Sequence, residues 1–116
     1  MYGKQTTVFD SDLYSSLFTQ DKMREIWSDD NLLRCWLRFE AAVARVQSEL
    51  GIIPEQAAVE IEQTCREIQI DWPALAQETQ TVGMAIKPLI DQISASGTPL
   101  VSQFLHWGCT TQDLLD

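Results

Sequence analysis

His106-Trp107-Gly108-Cys109-Thr110-Thr111-Gln112-Asp113 gathers the chain's only histidine, two adjacent hydroxyls, an amide and a carboxyl into one short stretch. An imidazole can donate a hydrogen bond or carry positive charge near neutral pH. Thr110 or Thr111 can cap a helix beginning at Gln112-Asp113, and the acid suits the positive end of the helix dipole. Such a junction collects free backbone N–H groups and two hydroxyls, the donors that commonly hold a carboxylate or phosphate. The same residues also suit a plainer role, with a structural histidine and threonines that only cap. Spacing alone does not separate the two. A hydrolytic triad is not supported, because no serine sits in a G-x-S-x-G setting and the single histidine has no assignable orienting acid.

Charge narrows the partners. The formal net charge is −9 and the isoelectric point about 4.4, which opposes phosphate backbones and anionic lipid headgroups, so neither nucleic acid nor a membrane is expected. A small anion remains possible, since a few aimed donors can hold one inside an acidic protein. Cys35, Cys65 and Cys109 show no CxxC spacing, and one histidine cannot complete a zinc set, so no metal and no cofactor is expected. The start, MYGKQTTVFDSD, has no apolar signal-peptide core, and no apolar run approaches the roughly 18 residues of a membrane span. A cytoplasmic protein with reduced thiols is the expectation. At 116 residues, one domain is the prior.

The elements that must position the polar segment read as helices throughout. Residues 1–12 lack helical period and suggest an extended arm. A first helical stretch, 13–27, is broken near Thr19-Gln20-Asp21, where Thr19 or Asp21 could cap the second piece. From Asp29 to Leu50, Leu32, Trp36, Phe39, Val43, Val46 and Leu50 recur at helical spacing, with Leu33, Leu37, Ala41 and Ala44 widening the apolar face. Gly51 can end this helix in the left-handed conformation with Ile52 folding back, and Pro54 can open the next. That second helix is expected to run to about Ile68 with Ala58, Ile61, Cys65 and Ile68 inward. Asp71 is the candidate cap of a short third helix burying Leu75 and Ala76. Pro88 disfavours helix at Lys87, so a loop through Gly83 to Lys87 and a helix from Pro88 to Ser94 are expected. Ser96 to Pro99 reads as a loop, and Leu100 to Leu105 as either helix or extended chain. The fold class is all-α.

The closing H-W-G-C-T-T-Q-D-L-L-D resembles the first of three signature regions of the fumarase/aspartase superfamily, in its H-x-G-x-T-[ST]-x-D form. The likeness extends upstream, in family order, through Leu17-Phe18, Met23 to Asp29, Phe39-Glu40-Ala41-Ala42-Val43-Ala44 and Leu50 to Glu55. The H-W-G-x-T-[ST]-Q-D wording is nearer the 3-carboxy-cis,cis-muconate cycloisomerase branch than the adenylosuccinate lyase branch. The lyases usually carry a histidine in a T-x-H-D-like motif where this chain has Thr81 to Ile90 with none. That stretch is more similar to the G-N-x-x-I-P-L-V pattern of the cycloisomerases, with Met84 and Lys87 as departures. Cys109 where alanine is usual, and Thr111 where serine is usual, keep size and hydroxyl.

The resemblance implies an all-α N-terminal helical domain over 13–111, with 112–116 starting a central long-helix bundle that these 116 residues do not contain. It implies a homotetramer for the full-length enzyme, with active sites built from several subunits, and a small di- or tricarboxylate as substrate. The shared chemistry removes a proton next to a carboxylate, forms an aci-carboxylate intermediate and moves a leaving group at the neighbouring carbon. By this resemblance Thr110, Thr111, Gln112 and Asp113 bind substrate or support its binding loop, and His106 positions or polarises it. The catalytic base belongs to later regions, so the fragment itself would be inactive. The alternatives are an adenylosuccinate lyase-like C–N lyase and a truncated, non-catalytic helical interaction module.

Overall fold

The computed structural model describes residue 3 and residues 5–116; Met1, Tyr2 and Lys4, part of the expected arm, lie outside the described residues. Eight helices and no strands occur among the described residues: α1 (Ser15–Phe18), α2 (Asp21–Ile26), α3 (Asp29–Glu49), α4 (Glu55–Glu67), α5 (Trp72–Val82), α6 (Ile86–Ser96), α7 (Pro99–Phe104) and α8 (Thr111–Leu115). The all-α reading holds. Two compact units divide the chain, Met1–Arg34 and Cys35–Asp116.

In the first unit, Thr7 to Asp10 close a turn through Asp10 N–H donating to the Thr7 carbonyl at 3.2 Å. Arg24 ties that turn to α2, its Nη1 donating to the Phe9 carbonyl at 2.6 Å. The break between α1 and α2 falls where expected, but neither Thr19 nor Asp21 caps α2. Gln20 occupies the N-cap without a side-chain bond, and Asp21 is the acid of the first turn. Ser28 caps the start of α3, its Oγ accepting from Asn31 N–H at 3.2 Å.

In the second unit α6 packs against α4, α5, α7 and α8. Ile86, Leu89 and Ile93 fall at helical spacing and are at most 1% exposed. Each such side chain contributes about 1.5–3 kcal/mol of burial. Ala57, Ala58, Ile61 and Cys65 of α4, Leu75 of α5 and Val101 of α7 complete that core. Gly97 permits the sharp passage from α6 to α7, since a Cβ there would sit 2.6 Å from the Cβ of Val101.

Several expectations are corrected. α6 begins at Ile86, not Pro88, so Pro88 lies in the first turn, where a helix has no use for an amide hydrogen and its absence costs nothing. α5 runs on to Val82 and stops at left-handed Gly83, and it turns Leu75 inward while the next residue, Ala76, is exposed. At the end of α3, Gly51 is left-handed as expected (φ 72°), but Ile52 is exposed and Ile53 is the buried one. Ile68 is only half-buried, because the helix has ended at Glu67 and Ile68 is its C-cap. Leu100 to Phe104 is helical, in α7.

The largest correction concerns α3. Its buried face runs through Leu33, Trp36, Glu40 and Ala44, whereas Leu32, Val46 and Leu50 of the expected stripe are exposed and Phe39 and Val43 half-buried. The face is rotated by about one residue, which brings a glutamate into the interior. A carboxylate is rarely fully buried without a partner, and the partner is found at the other end of the sequence.

Candidate functional site

Leu105 and Leu114 are both buried and pin the two ends of the polar segment. Between them the chain turns sharply, with His106 at φ 59° and Gly108 at φ 70°, and Cys109 N–H donates to the His106 carbonyl at 3.2 Å. Glycine takes this left-handed conformation freely, which explains Gly108. A histidine there is uncommon and costs about 1–2 kcal/mol, so other contacts must hold it. Three do. Gln47 Nε2 of α3 donates to the Trp107 carbonyl at 2.7 Å, the Trp107 ring lies 5.4 Å from that of Phe104, and the imidazole itself is bonded.

That bond joins His106 Nδ1 to Glu40 Oε1 at 2.5 Å. The glutamate side chain is 1% exposed and the histidine 17%. Glu40 Oε2 has no hydrogen-bond partner among the described residues. Burial pushes the Glu40 carboxyl above the usual carboxylate range, and the hydrogen bond and charge of His106 pull it only part of the way back. The thiols nearby respond to the same surroundings. Burial first, then the charges of Glu40 and Glu62, push Cys65 up to about 12, and burial, Glu40 and Asp113 push Cys109 upward. Neither thiol is set up as a nucleophile or metal ligand at neutral pH. No group of three or more His, Cys, Asp or Glu able to hold a metal occurs among the described residues.

Beyond the turn, Thr110 is the N-cap of α8, which starts one residue earlier than expected. The Asp113 carboxylate accepts from Thr110 N–H at 2.8 Å and from Thr110 Oγ1 at 3.3 Å, so these two residues secure each other. Gln112 Nε2 donates to Asp116 Oδ1 at 2.6 Å and is exposed. Thr111, half-buried at the first helical position, is the one whose hydroxyl makes no hydrogen bond among the described residues. Of the five residues singled out from the sequence, the structure thus pairs Thr110 with Asp113, places Gln112 outward, and leaves the Thr111 hydroxyl uncommitted. His106 bonds to none of these four among the described residues; its partner is Glu40.

Glu40 is the residue to which sequence reasoning gave no role. The signal was available: a glutamate four residues from both Trp36 and Ala44, in the same helical register as apolar neighbours, is either a mispositioned stripe or a carboxylate with a purpose. A second partner from a distant segment could not be named from spacing.

No family model matches the chain. It is 44% identical over 102 residues to trans-aconitate decarboxylase 1 of Mycosarcoma maydis, a match covering 88% of this chain and 21% of that protein. It is 38% identical over 107 residues to 3-carboxy-cis,cis-muconate cycloisomerase of Pseudomonas putida, covering 90% of this chain and 25% of that enzyme. Among solved structures, a fumarate lyase from Mesorhizobium sp. BNC1 superposes with a TM-score of 0.80 at 41% identity, over 84% of this chain and 23% of that one. The chain spans about a quarter of the length of the relatives it matches.

Proposed function

We propose, for a chain that belongs with its homologues and structural neighbours to the fumarase/aspartase superfamily, that it is the N-terminal, carboxylate-binding part of an enzyme acting on a small unsaturated polycarboxylate. The reaction we assign to the whole protein is of the 3-carboxy-cis,cis-muconate cycloisomerase type, interconverting a lactone and a muconate. The carrying observation is the junction itself: a histidine held in a left-handed turn, leading into a capped helix start with one threonine hydroxyl uncommitted. Both 3-carboxy-cis,cis-muconate and trans-aconitate, named in two relatives, are unsaturated tricarboxylates.

In this reading Thr111 and the first amides of α8 hold a substrate carboxylate, with Thr110, Gln112 and Asp113 keeping the helix start in place, and His106 positions or polarises the substrate. Loss of a proton beside that carboxylate gives an aci-carboxylate carrying an additional negative charge. Donors fixed in advance bind it more tightly than the ground state, and each is worth roughly 3 kcal/mol in sites of this kind. The base comes from another part of the whole protein, so these 116 residues alone turn nothing over. The whole enzyme is a cytoplasmic homotetramer in this proposal.

A second reading, decarboxylation of an unsaturated tricarboxylate, is favoured by the 44% identity to the decarboxylase. The adenylosuccinate lyase alternative is disfavoured by the absence of a histidine in Thr81 to Ile90. The test is an assay of the whole protein against 3-carboxy-cis,cis-muconate, trans-aconitate and adenylosuccinate. Lactone formation is expected; release of carbon dioxide from trans-aconitate would select the second reading. Turnover of adenylosuccinate alone would overturn both, and no turnover of any of the three would favour the non-catalytic module.

A further inference from the structure

α3 grips the His106 turn at two successive residues. Gln47 takes the Trp107 carbonyl, and two helical turns earlier on the same helix Glu40 takes the His106 ring. Together these contacts hold a backbone conformation that histidine does not favour, so the ring's orientation is fixed from α3. The ring has two nitrogens, and which one carries the proton is decided by what the other atoms around it accept.

We infer that Glu40 is a positioning residue for His106: its buried carboxylate keeps a proton on Nδ1 and so leaves Nε2 as the nitrogen available to the substrate. Two bare lone pairs, one on Nδ1 and one on Oε1, would repel at 2.5 Å, so a proton lies between them. A carboxylate facing Nδ1 can only accept, so the single proton of a neutral ring is assigned to Nδ1. The titratable neighbours that sense Glu40 are His106, Cys65 from α4 and Cys109 from the turn. Both thiols are pushed upward and stay neutral, so His106 is the only one of the three that can supply positive charge or a strong donor. The carboxylate cannot turn to solvent, being 1% exposed. Nε2 makes no hydrogen bond among the described residues, so the outer edge of the ring is unspent. The competing arrangement is a neutral carboxyl donating to Nδ1, which would put the ring's own proton on Nε2 and reverse its polarity toward the substrate.

The catalytic part of this inference rests on the function proposed above; the tautomer does not. His106 is the only histidine, so a nitrogen-15 spectrum of the labelled chain contains one imidazole. At a pH where the ring is neutral, the wild-type chain is expected to show the proton on Nδ1. Glu40→Leu removes the acceptor and is expected to move the tautomer ratio at least about tenfold toward Nε2–H, the effect of losing one hydrogen bond to a charged group. Glu40→Gln, nearly the same size and still able to accept, is expected to give an intermediate ratio. A wild-type ring protonated on Nε2, or an unchanged ratio in Glu40→Leu, overturns the inference. In the whole enzyme, with whichever acid it turns over, Glu40→Leu is expected to lower kcat about tenfold or more with KM within about twofold, and Glu40→Gln to recover part of the loss. A rise in KM with kcat unchanged would overturn the positioning role. A whole protein that turns over none of the three acids overturns the proposed function while the spectrum still decides the tautomer.

Discussion

Glu40→Gln should change how the stability of the chain depends on pH. The folded state raises the Glu40 carboxyl above its ordinary value of 4.5, with burial as the main cause. A raised acid binds its proton more tightly in the folded than in the unfolded chain. The stability this gives is therefore fully present below the unfolded value and is lost as pH rises through the folded one. One proton taken up differently bends the unfolding free energy by at most about 1.4 kcal/mol per pH unit. The expected result is that wild type loses stability relative to Glu40→Gln as pH climbs from 4.5, with a slope no steeper than that limit, and that the difference levels off once the folded carboxyl is ionised. Urea unfolding of both proteins, followed by circular dichroism at closely spaced pH values with the denaturant slope held in common, measures it. A difference that grows in favour of wild type with rising pH would show that the folded state lowers the Glu40 carboxyl instead of raising it. It would mean that the His106 bond outweighs burial and holds the carboxylate ionised.

Other perturbations test the scaffold that carries the site. Asp71→Ala removes the Oδ1 that accepts from Ala74 N–H at 3.0 Å at the start of α5 and should cost about 1 kcal/mol in denaturant unfolding. Leu89→Ala empties a fully buried place in α6 and should cost about 2–5 kcal/mol. Leu50→Ala, at a 70% exposed position in the expected stripe of α3, should stay within about 0.5 kcal/mol of wild type in the same measurement.

Sequence periodicity located most of the helices because their patterns are local. The Asp71 cap, the left-handed Gly51 and the inward set of α4 all follow from residues within one or two turns of each other. Two kinds of feature escaped it. Local rules misplaced the start of α6, since Pro88 breaks a helix interior but sits comfortably in a first turn. Long-range pairing decided the face of α3. Hydrophobic counting assigns glutamate to water, and only the approach of His106, 66 positions away in sequence, makes Glu40 tolerable inside. The site was legible in part for the same reason. His106, Thr110, Thr111 and Asp113 lie together in the sequence, and their residue types declare a turn and a capped helix start. The division of labour among them was not legible, because it depends on which hydroxyl Asp113 takes and which it leaves.

Binding of a substrate carboxylate at this junction is put to the test by the steady-state kinetics of Thr111→Val in the whole enzyme. The substitution keeps the shape of the side chain and deletes the one uncommitted hydroxyl of the pair, while Thr110 and Asp113 continue to cap α8. A fall in kcat/KM of roughly 100-fold is expected, the loss of one preorganised donor, with the circular dichroism spectrum unchanged. Wild-type kinetics in the folded variant would rule that binding role out and leave Thr111 as no more than the first residue of a helix.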